Sequence, residues 1–462
     1  MNQASSGASA DKREPWTRTS LALGLLFSFS FALLTPPSQA PDEPGHFRRA
    51  YQISEGRLIA RSASGTVGDR LPESVVRVSH DLLSGINLRP ERKQDPSKIW
   101  EAFRVRLEPE RRTFISFPAA AVYGFVAYVP QAVAMAVGRQ LTDSVLVLFY
   151  LGRLANALCG ALLLALAVRR SGTRPDVFFL VGLLPMTVFL MGSQSADCVT
   201  TGLAFVLTAC LLFDEPVRSR MPSATITTWG ALATLLSLTK PGYFLLSGLV
   251  LLAPTRRFGS AGRRAVACTL VVGGAFAAAG MWAWVVSDLH APTAAELNAR
   301  PADQWAWIRS HPPGFVVHVA GEMLRQFPRL AAEFVGTLGW LDVRLPLAIV
   351  VAHGLLLVVV ASTGGQTDCL VGLWRKFALG ALLLGSVLII YGALFVYSSA
   401  AGSSRTGLQG RYFLPLAPAA LLALGSRRWN WGWKDRFPLL ATWTTFVLVV
   451  ALILTVRRYY HS

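Results

Sequence analysis

Two adjacent carboxylates, Asp42 and Glu43, stand in Pro41-Asp42-Glu43-Pro44-Gly45-His46, just beyond the first apolar run of the chain. Paired acids at a membrane face suit a general base, a metal ligand or both, and a helix beginning at Pro44 puts His46 one turn from Asp42. The competing reading is that the acids only cap a surface helix. Asp197 closes Ser193-Gln194-Ser195-Ala196-Asp197, a tight turn between two apolar runs, and reads equally as an N-cap or as a site acid. Lys240, in Lys240-Pro241-Gly242-Tyr243, is a lone cation in a long apolar stretch. Such a group is costly unless it meets an anionic ligand or a partner such as Asp197. Arg411 lies in Gln409-Gly410-Arg411-Tyr412-Phe413-Leu414-Pro415 at the mouth of another apolar run. A guanidinium there is suited to a bidentate grip on phosphate, with Gln409 beside it and Tyr412 placed for a ring or hydroxyl. Snorkelling to lipid headgroups is its alternative. Arg153 and Asn156, inside a run, read as a structural polar contact.

The elements that must position these groups are membrane helices. Of 462 residues 53% are hydrophobic and 15% charged, with a mean hydropathy of +0.44, and several runs reach the roughly 20 residues that cross hydrocarbon. The expected fold is an all-α polytopic membrane protein of about 11 to 12 spans, whose outer loops carry short interfacial helices. Spans are expected over 20–36, 144–168, 175–192, 196–213, 224–239, 242–254, 265–287, 345–362, 377–399, 412–425 and 437–456. The run 114–137, with Pro118, Gly124 and Pro130, is ambiguous. If it doubles back, the loops 169–174, 214–223, 255–264, 363–376 and 426–436, which hold 3, 2, 4, 2 and 4 Lys/Arg, all face the cytoplasm. If it crosses, the first three face outward against the positive-inside rule. The doubled-back arrangement is therefore preferred, with a cytoplasmic N-terminus and an outside C-terminus.

Residues 1–18 read as a disordered lead, 19–456 as one transmembrane domain and 457–462 as a tail. Two segments of that domain face outward, 37–113 and 288–344. The first holds 14 Lys/Arg and 11 Asp/Glu and so is a charged globular or surface-lying piece. Within it Glu55–Ile59 and Leu71–Leu83 have the mixed pattern of interfacial helices. The second contains Trp305, Trp307 and Trp340, amphipathic side chains suited to headgroup level. Ser38-Gln39-Ala40 resembles a signal-peptide cleavage site, but Pro41 directly after it hinders cutting, and an uncleaved anchor is expected. The net charge of +18 is assigned to arginines flanking spans rather than to nucleic-acid binding. The five cysteines lack C-x-x-C spacing and imply neither disulfides nor a zinc site.

No Walker loop, G-x-S-x-G elbow or dinucleotide fingerprint is present, so no nucleotide chemistry is indicated. Acids and cations gather on one face, where a lipid-linked phosphosugar would bring its phosphate to the depth of Arg411 and Lys240. The chain resembles a bacterial family of multi-spanning proteins, the domain of unknown function 2142 family. The resemblance rests on Pro41-Asp42-Glu43-Pro44 with His46, Leu184-Pro185-Met186 followed by Ser195 and Asp197, Lys240-Pro241, Leu338-Gly339-Trp340-Leu341-Asp342, and Gln409 to Pro415. It covers about residues 20 to 456. That family is similar in turn to the GT-C glycosyltransferases, membrane enzymes that use polyprenyl-phosphate sugars and keep an acidic motif in the first outer loop. The resemblance implies that Asp42 or Glu43 deprotonates the acceptor or holds a divalent cation such as magnesium or manganese; spacing picks out no further metal ligand.

The expected function is therefore inverting glycosyl transfer at the outer face of a bacterial plasma membrane, from a polyprenyl-phosphate donor to a cell-envelope glycan or lipid-linked acceptor. Asp42 is the expected base and Glu43 a supporting carboxylate. Arg411 and Lys240 would neutralise the leaving phosphate, with His46, Asp197, Gln409 and Tyr412 as binding or orienting groups. The alternatives are a transporter or flippase for a lipid-linked glycan, or a non-catalytic subunit of an envelope-polymer assembly complex.

Overall fold

The computed structural model describes residues 3–63, 65–83, 85–87, 89–214, 220–289, 300–363, 368–398, 407–425 and 436–461. Parts of the basic loops 214–223, 363–376 and 426–436, and residues 290–299 of the second expected outer segment, lie outside these described residues. α1 (Gln3–Leu34) carries the first apolar run and takes in residues 3–18, which the sequence alone leaves as a disordered lead. A helix already formed over the apolar run extends backward at one hydrogen bond per residue without a new nucleus.

α2 (Glu43–Ser54), α3 (Glu73–Leu83) and α4 (Pro96–Phe103) follow, together with β1 (Arg61–Ala63), β2 (Thr66–Pro72) and β3 (Arg112–Ser116). The strands form an antiparallel sheet with β2 in the middle. This corrects the all-α expectation. Val67, Leu71 and Ile115 of the sheet join Phe47 of α2 and Val75 of α3 in a small core. Gly68 and Asp69 hide the strand pattern, and both have structural reasons. A Cβ at Gly68 would come 1.8 Å from the Ile115 carbonyl oxygen, and Asp69 is buried, accepting from Gln52 Nε2 at 2.7 Å and Arg57 Nη1 at 3.0 Å. The expected interfacial segment Leu71–Leu83 contains α3, whereas Glu55–Ile59 is non-helical throughout, the chain turning at Gly56, whose φ is +80°.

The ambiguous run 114–137 breaks into α5 (Pro118–Ala121), a 3₁₀ turn at Phe125–Tyr128 and α6 (Val129–Gly138). The apolar helical piece Phe125–Gly138 has 14 residues, about 21 Å of helix, which is short of the ~30 Å hydrocarbon core. The break packs against protein: the Gly124 N–H bonds the Thr239 carbonyl at 2.8 Å.

The remaining elements alternate between the two ends of a helical bundle. They are α7 (Val145–Arg170), α8 (Pro175–Gly182), α9 (Pro185–Met191), α10 (Asp197–Phe213), α11 (Ser223–Ser237) and a 3₁₀ helix, Tyr243–Leu252. α12 (Ala261–Cys268) and α13 (Gly274–Val285) are joined by a π-helical turn. α14 (Pro301–Ser310) and α15 (Pro312–Gly336) lead to a hairpin of β4 (Thr337–Leu338) and β5 (Val343–Arg344). Then come α16 (Leu347–Thr363), α17 (Leu373–Ser398), a 3₁₀ helix Gly410–Leu416 that continues as α18 (Ala417–Ala423), and α19 (Arg436–Tyr460).

Among the described residues five helical stretches are long and apolar enough to cross a membrane: Arg13–Leu34, Val145–Arg170, Ala261–Val285, Leu373–Tyr397 and Arg436–Tyr460. The expected span 175–192 is two helices, broken at Leu183-Leu184 because Pro185 disfavours helical geometry in the residue before it. α8, α9 and α10 are predominantly apolar and buried along almost their whole length, forming the centre of the bundle. Small residues bring helices close: a Cβ at Gly160 of α7 would come 2.6 Å from Cys198 Sγ of α10. The rim helices turn Leu270, Leu355, Phe377 and Ile453 outward, as a lipid environment requires. At the end opposite α2, arginines satisfy helix C-termini. Arg257 donates to the Leu211 and Leu212 carbonyls at 3.3 and 3.2 Å, and Arg436 to Thr363 at 3.1 Å.

Candidate functional site

At the α2 end the chain leaves α1 through a turn that places Ser38 and Asp42 in the left-handed region, with φ of 68° and 59°. Neither residue is glycine, so surrounding contacts must hold this backbone. Asp42 occupies the N-cap position of α2, but its side chain makes no capping hydrogen bond. Instead Oδ2 accepts from Arg411 Nη2 at 2.8 Å, with half of the Asp42 side chain exposed and only 2% of Arg411. Burial acts to raise the Asp42 carboxyl, but Arg411, His46 and Lys240 together outweigh it and hold the group below the usual carboxylate range.

The neighbouring Glu43 is wholly buried. Oε1 accepts from Arg153 Nε at 2.8 Å and the Gln194 N–H at 3.0 Å; Oε2 accepts from Arg153 Nη2 at 2.6 Å and the Ala40 N–H at 3.3 Å. Arg153 places its remaining donors on the carbonyls of Ala32, Thr35 and Pro36 at 2.8, 2.7 and 3.1 Å. All five guanidinium N–H groups are thus committed. Asn156 supports the same region by donating to the Ser193 and Ser195 carbonyls at 2.7 and 3.2 Å.

Asp197 is the first residue of α10, whose N-cap is Ala196. Its Oδ1 meets Lys240 Nζ at 2.5 Å, its Oδ2 accepts from Ser195 Oγ at 3.2 Å, and Arg411 Nε lies 3.7 Å from Oδ2. Lys240 is carried by the break after α11, where Pro241 and Gly242 (φ +96°) turn the chain. Its ammonium sits 4.3 Å from the Tyr123 ring centre and 5.8 Å from that of Tyr412. Arg411 stands in the first turn of the 3₁₀ helix. Its position is fixed by the preceding Gly410, whose N–H bonds Glu333 Oε2 at 2.8 Å and whose Cβ, were there one, would come 2.2 Å from the Leu330 carbonyl oxygen. Nε and Nη1 of Arg411 are buried without a hydrogen-bond partner, and so is Gln409 Oε1. The Tyr412 carbonyl accepts from Tyr243 OH at 2.9 Å.

His46 is buried with Nδ1 2.7 Å from Tyr128 OH and its ring stacked on Tyr123 at 6.2 Å. Burial and Lys240 push it down to about 4 against the opposing pull of Asp42 and Asp197, so the imidazole is neutral at physiological pH. The charge count is then balanced, with two carboxylates, Asp42 and Asp197, against Lys240 and Arg411.

Residues 25–420 match the family described as predicted membrane protein (DUF2142). The chain belongs to this family. No curated protein and no solved structure matches it.

In this DUF2142 chain the motif residues Asp42, His46, Asp197, Lys240, Arg411 and Tyr412 converge. Gln409 borders them, and Glu43 is turned away into its own enclosed pair. Among the described residues no group of three or more His, Cys, Asp and Glu side chains could hold a metal ion. The two carboxylates of the cluster, Asp42 and Asp197, are already paired with Arg411 and Lys240, a poor setting for a divalent ion. Tyr123 and Tyr128 escaped the sequence reading, and Tyr243 entered it only as part of the Lys240 motif, without a role. The first two lie in the run 114–137, whose broken helix was itself the signal, because irregular backbone at membrane depth is tolerated where it lines a cavity.

Proposed function

We propose that this protein is an inverting glycosyltransferase working at the outer face of a bacterial plasma membrane. It would move a sugar from a polyprenyl-phosphate donor to a cell-envelope glycan or lipid-linked acceptor. The observation that carries the reading is a buried guanidinium, Arg411, whose Nε and Nη1 make no hydrogen bond, which shares Asp197 with Lys240 and stands against the half-exposed carboxylate of Asp42. The acceptor hydroxyl oxygen attacks the anomeric carbon as the bond from that carbon to the phosphate oxygen breaks. The electron pair leaves with the phosphate, whose developing charge Arg411 and Lys240 neutralise, and the hydroxyl proton passes to Asp42.

A donor phosphate competes with Asp42 for Arg411. Its arrival would therefore loosen the ion pair and raise the proton affinity of Asp42 at the moment a base is needed. Asp197 holds Lys240, and Glu43 with Arg153 holds the turn that carries Asp42. Because the metal fit is poor, no step is routed through a cation.

The arginine-rich opposite end supports a cytoplasmic N-terminus by the positive-inside rule. Doubling back of the short 118–138 piece supports eleven crossings. The enclosed centre formed by α8, α9 and α10 beneath the site favours one-sided chemistry over transport. The test is transfer by purified Asp42→Asn with polyprenyl-phosphate sugars as donors. A loss of 10²-fold or more in a protein that still folds is expected; full activity in that variant would sink the assignment.

A further inference from the structure

The tip of the β4–β5 hairpin, Gly339 to Asp342, lies against the turn that carries Asp42. Trp340 Nε1 donates to the Ser38 carbonyl at 3.1 Å, and Tyr459 OH of α19 donates to the next carbonyl, that of Gln39, at 3.2 Å. The peptide plane after Gln39 has a second hold, because the Ala40 N–H bonds Glu43 Oε2 at 3.3 Å. The plane after Ser38 has no such second hold among the described residues: its N–H, on Gln39, bonds the Pro36 carbonyl inside the turn at 3.2 Å. Trp340 therefore fixes that plane from outside. The side chains of the turn give no help, since Ser38 Oγ and both polar amide atoms of Gln39 are buried without a hydrogen-bond partner.

Trp340 is itself held in place. Gly339 and Leu341, on either side of it, have φ of 62° and 63°. A Cβ at Gly339 would come 2.4 Å from Asp342 Oδ1 and 2.7 Å from the Tyr459 hydroxyl oxygen, so the glycine lets α19 seat on the hairpin. Asp342 Oδ2 accepts from Arg458 Nε at 2.8 Å. The hairpin tip and the end of α19 thus act as one support.

We infer that Trp340 is a positioning residue for Asp42: its indole N–H fixes the peptide plane after Ser38 and so aims the Asp42 carboxylate at Arg411. The inference rests on the transferase reading only for its consequence in transfer; the aim of the carboxylate can be read apart from any reaction. Two observations carry it. Ser38, Asp42 and Leu341 are the non-glycine residues with positive φ among the described residues, and all three belong to the two segments that the Trp340 bond joins. Such conformations persist only where surrounding contacts hold them. The second observation is the setting of the indole. An interfacial tryptophan ordinarily turns its N–H to water or headgroups. Here the N–H is spent on the backbone of the acidic turn, and the half-buried ring belongs to none of the apolar clusters of the core.

The test uses the full chain in detergent, with Trp340→Phe and, as a closer match in shape, benzothienylalanine in place of Trp340, which keeps the bicyclic ring and lacks the N–H. Labelling of carboxyls by a water-soluble carbodiimide is followed against pH by peptide mass spectrometry. Arg411 acts to hold the Asp42 carboxyl low, so freeing the turn should move its labelling midpoint up by about one pH unit in both variants. Glu43, closed in its pair with Arg153, should stay unlabelled, which separates lost aim from general loosening. An unchanged Asp42 midpoint in both folded variants would overturn the proposal, and so would labelling of Glu43 alongside Asp42. With a polyprenyl-phosphate sugar as donor, kcat should fall about tenfold while KM for the donor stays near wild type. If the wild-type protein transfers no sugar but the Asp42 midpoint still moves, the transferase reading fails and the positioning role stands.

Discussion

Asp42 and Glu43 are neighbours in the chain and opposites in the structure. Glu43 and Arg153 form a closed pair: both side chains are fully buried, and all five guanidinium donors are spent on protein acceptors. Asp42 and Arg411 form an open pair, joined by one hydrogen bond, with the acid half exposed and two buried nitrogens of the arginine, Nε and Nη1, without a hydrogen bond. The same two residue types therefore serve different ends according to how completely their hydrogen-bonding capacity is used. A saturated pair can only hold the fold, whereas an unsaturated one has something left to offer a ligand.

The sharpest way to break this contrast is to neutralise each acid in turn. Glu43→Gln leaves Arg153 charged and uncompensated in the interior, a loss expected at about 3–5 kcal/mol. It should appear as a collapse in the yield of monodisperse protein and in the thermal midpoint in detergent, against near wild-type stability for Asp42→Asn. Equal stability of the two variants would erase the distinction between the pairs.

A smaller effect is expected at Lys240. Lys240→Met strands Asp197, but Arg411 Nε remains 3.7 Å from its carboxylate, so about 2 kcal/mol is expected. Adding Asp197→Asn should restore part of this loss, because the double variant leaves no unpaired acid. A strictly additive double variant would show that the two groups are not coupled.

The mildest test is pH. His46 has its folded value pushed down to about 4 from an ordinary 6.5, so between these values the unfolded chain binds the extra proton. Its contribution to stability is intact above about 6.5 and fades as pH falls toward about 4. His46→Gln should flatten the thermal midpoint across that window relative to wild type. An unchanged slope would remove His46 from the buried, neutral role.

The sequence made the apolar elements readable because hydrocarbon imposes a length and a composition that local patterns reveal, and the helices α7, α10, α11, α16, α17 and α19 fall on the expected runs. The groups brought together at the site were readable for the same reason, since a charge inside an apolar run stands out. What escaped was set by partners distant in the chain. Arg153 looks like one more intramembrane polar residue until Glu43, 110 positions earlier, is placed on it. α15 was missed because Glu322, Arg325, Arg329 and Glu333 break its apolar pattern; these form two local pairs with their neighbours on the helix, and the distant partner is Gly410, whose N–H bonds Glu333. The strands of the 37–113 segment were obscured by Gly68 and Asp69, whose roles depend on Ile115, Gln52 and Arg57.

The five bonds of Arg153 also set an order of assembly. Its acceptors lie at Ala32, Thr35, Pro36 and Glu43, so the turn that holds Asp42 in its left-handed backbone takes most of its side-chain support from α7. Arg153 follows Glu43 by 110 positions, so these bonds cannot form until that much more chain has been made. The contacts that hold the acidic turn are therefore complete only with α7 beside α1, so the site depends on a later helix as well as on its own acids.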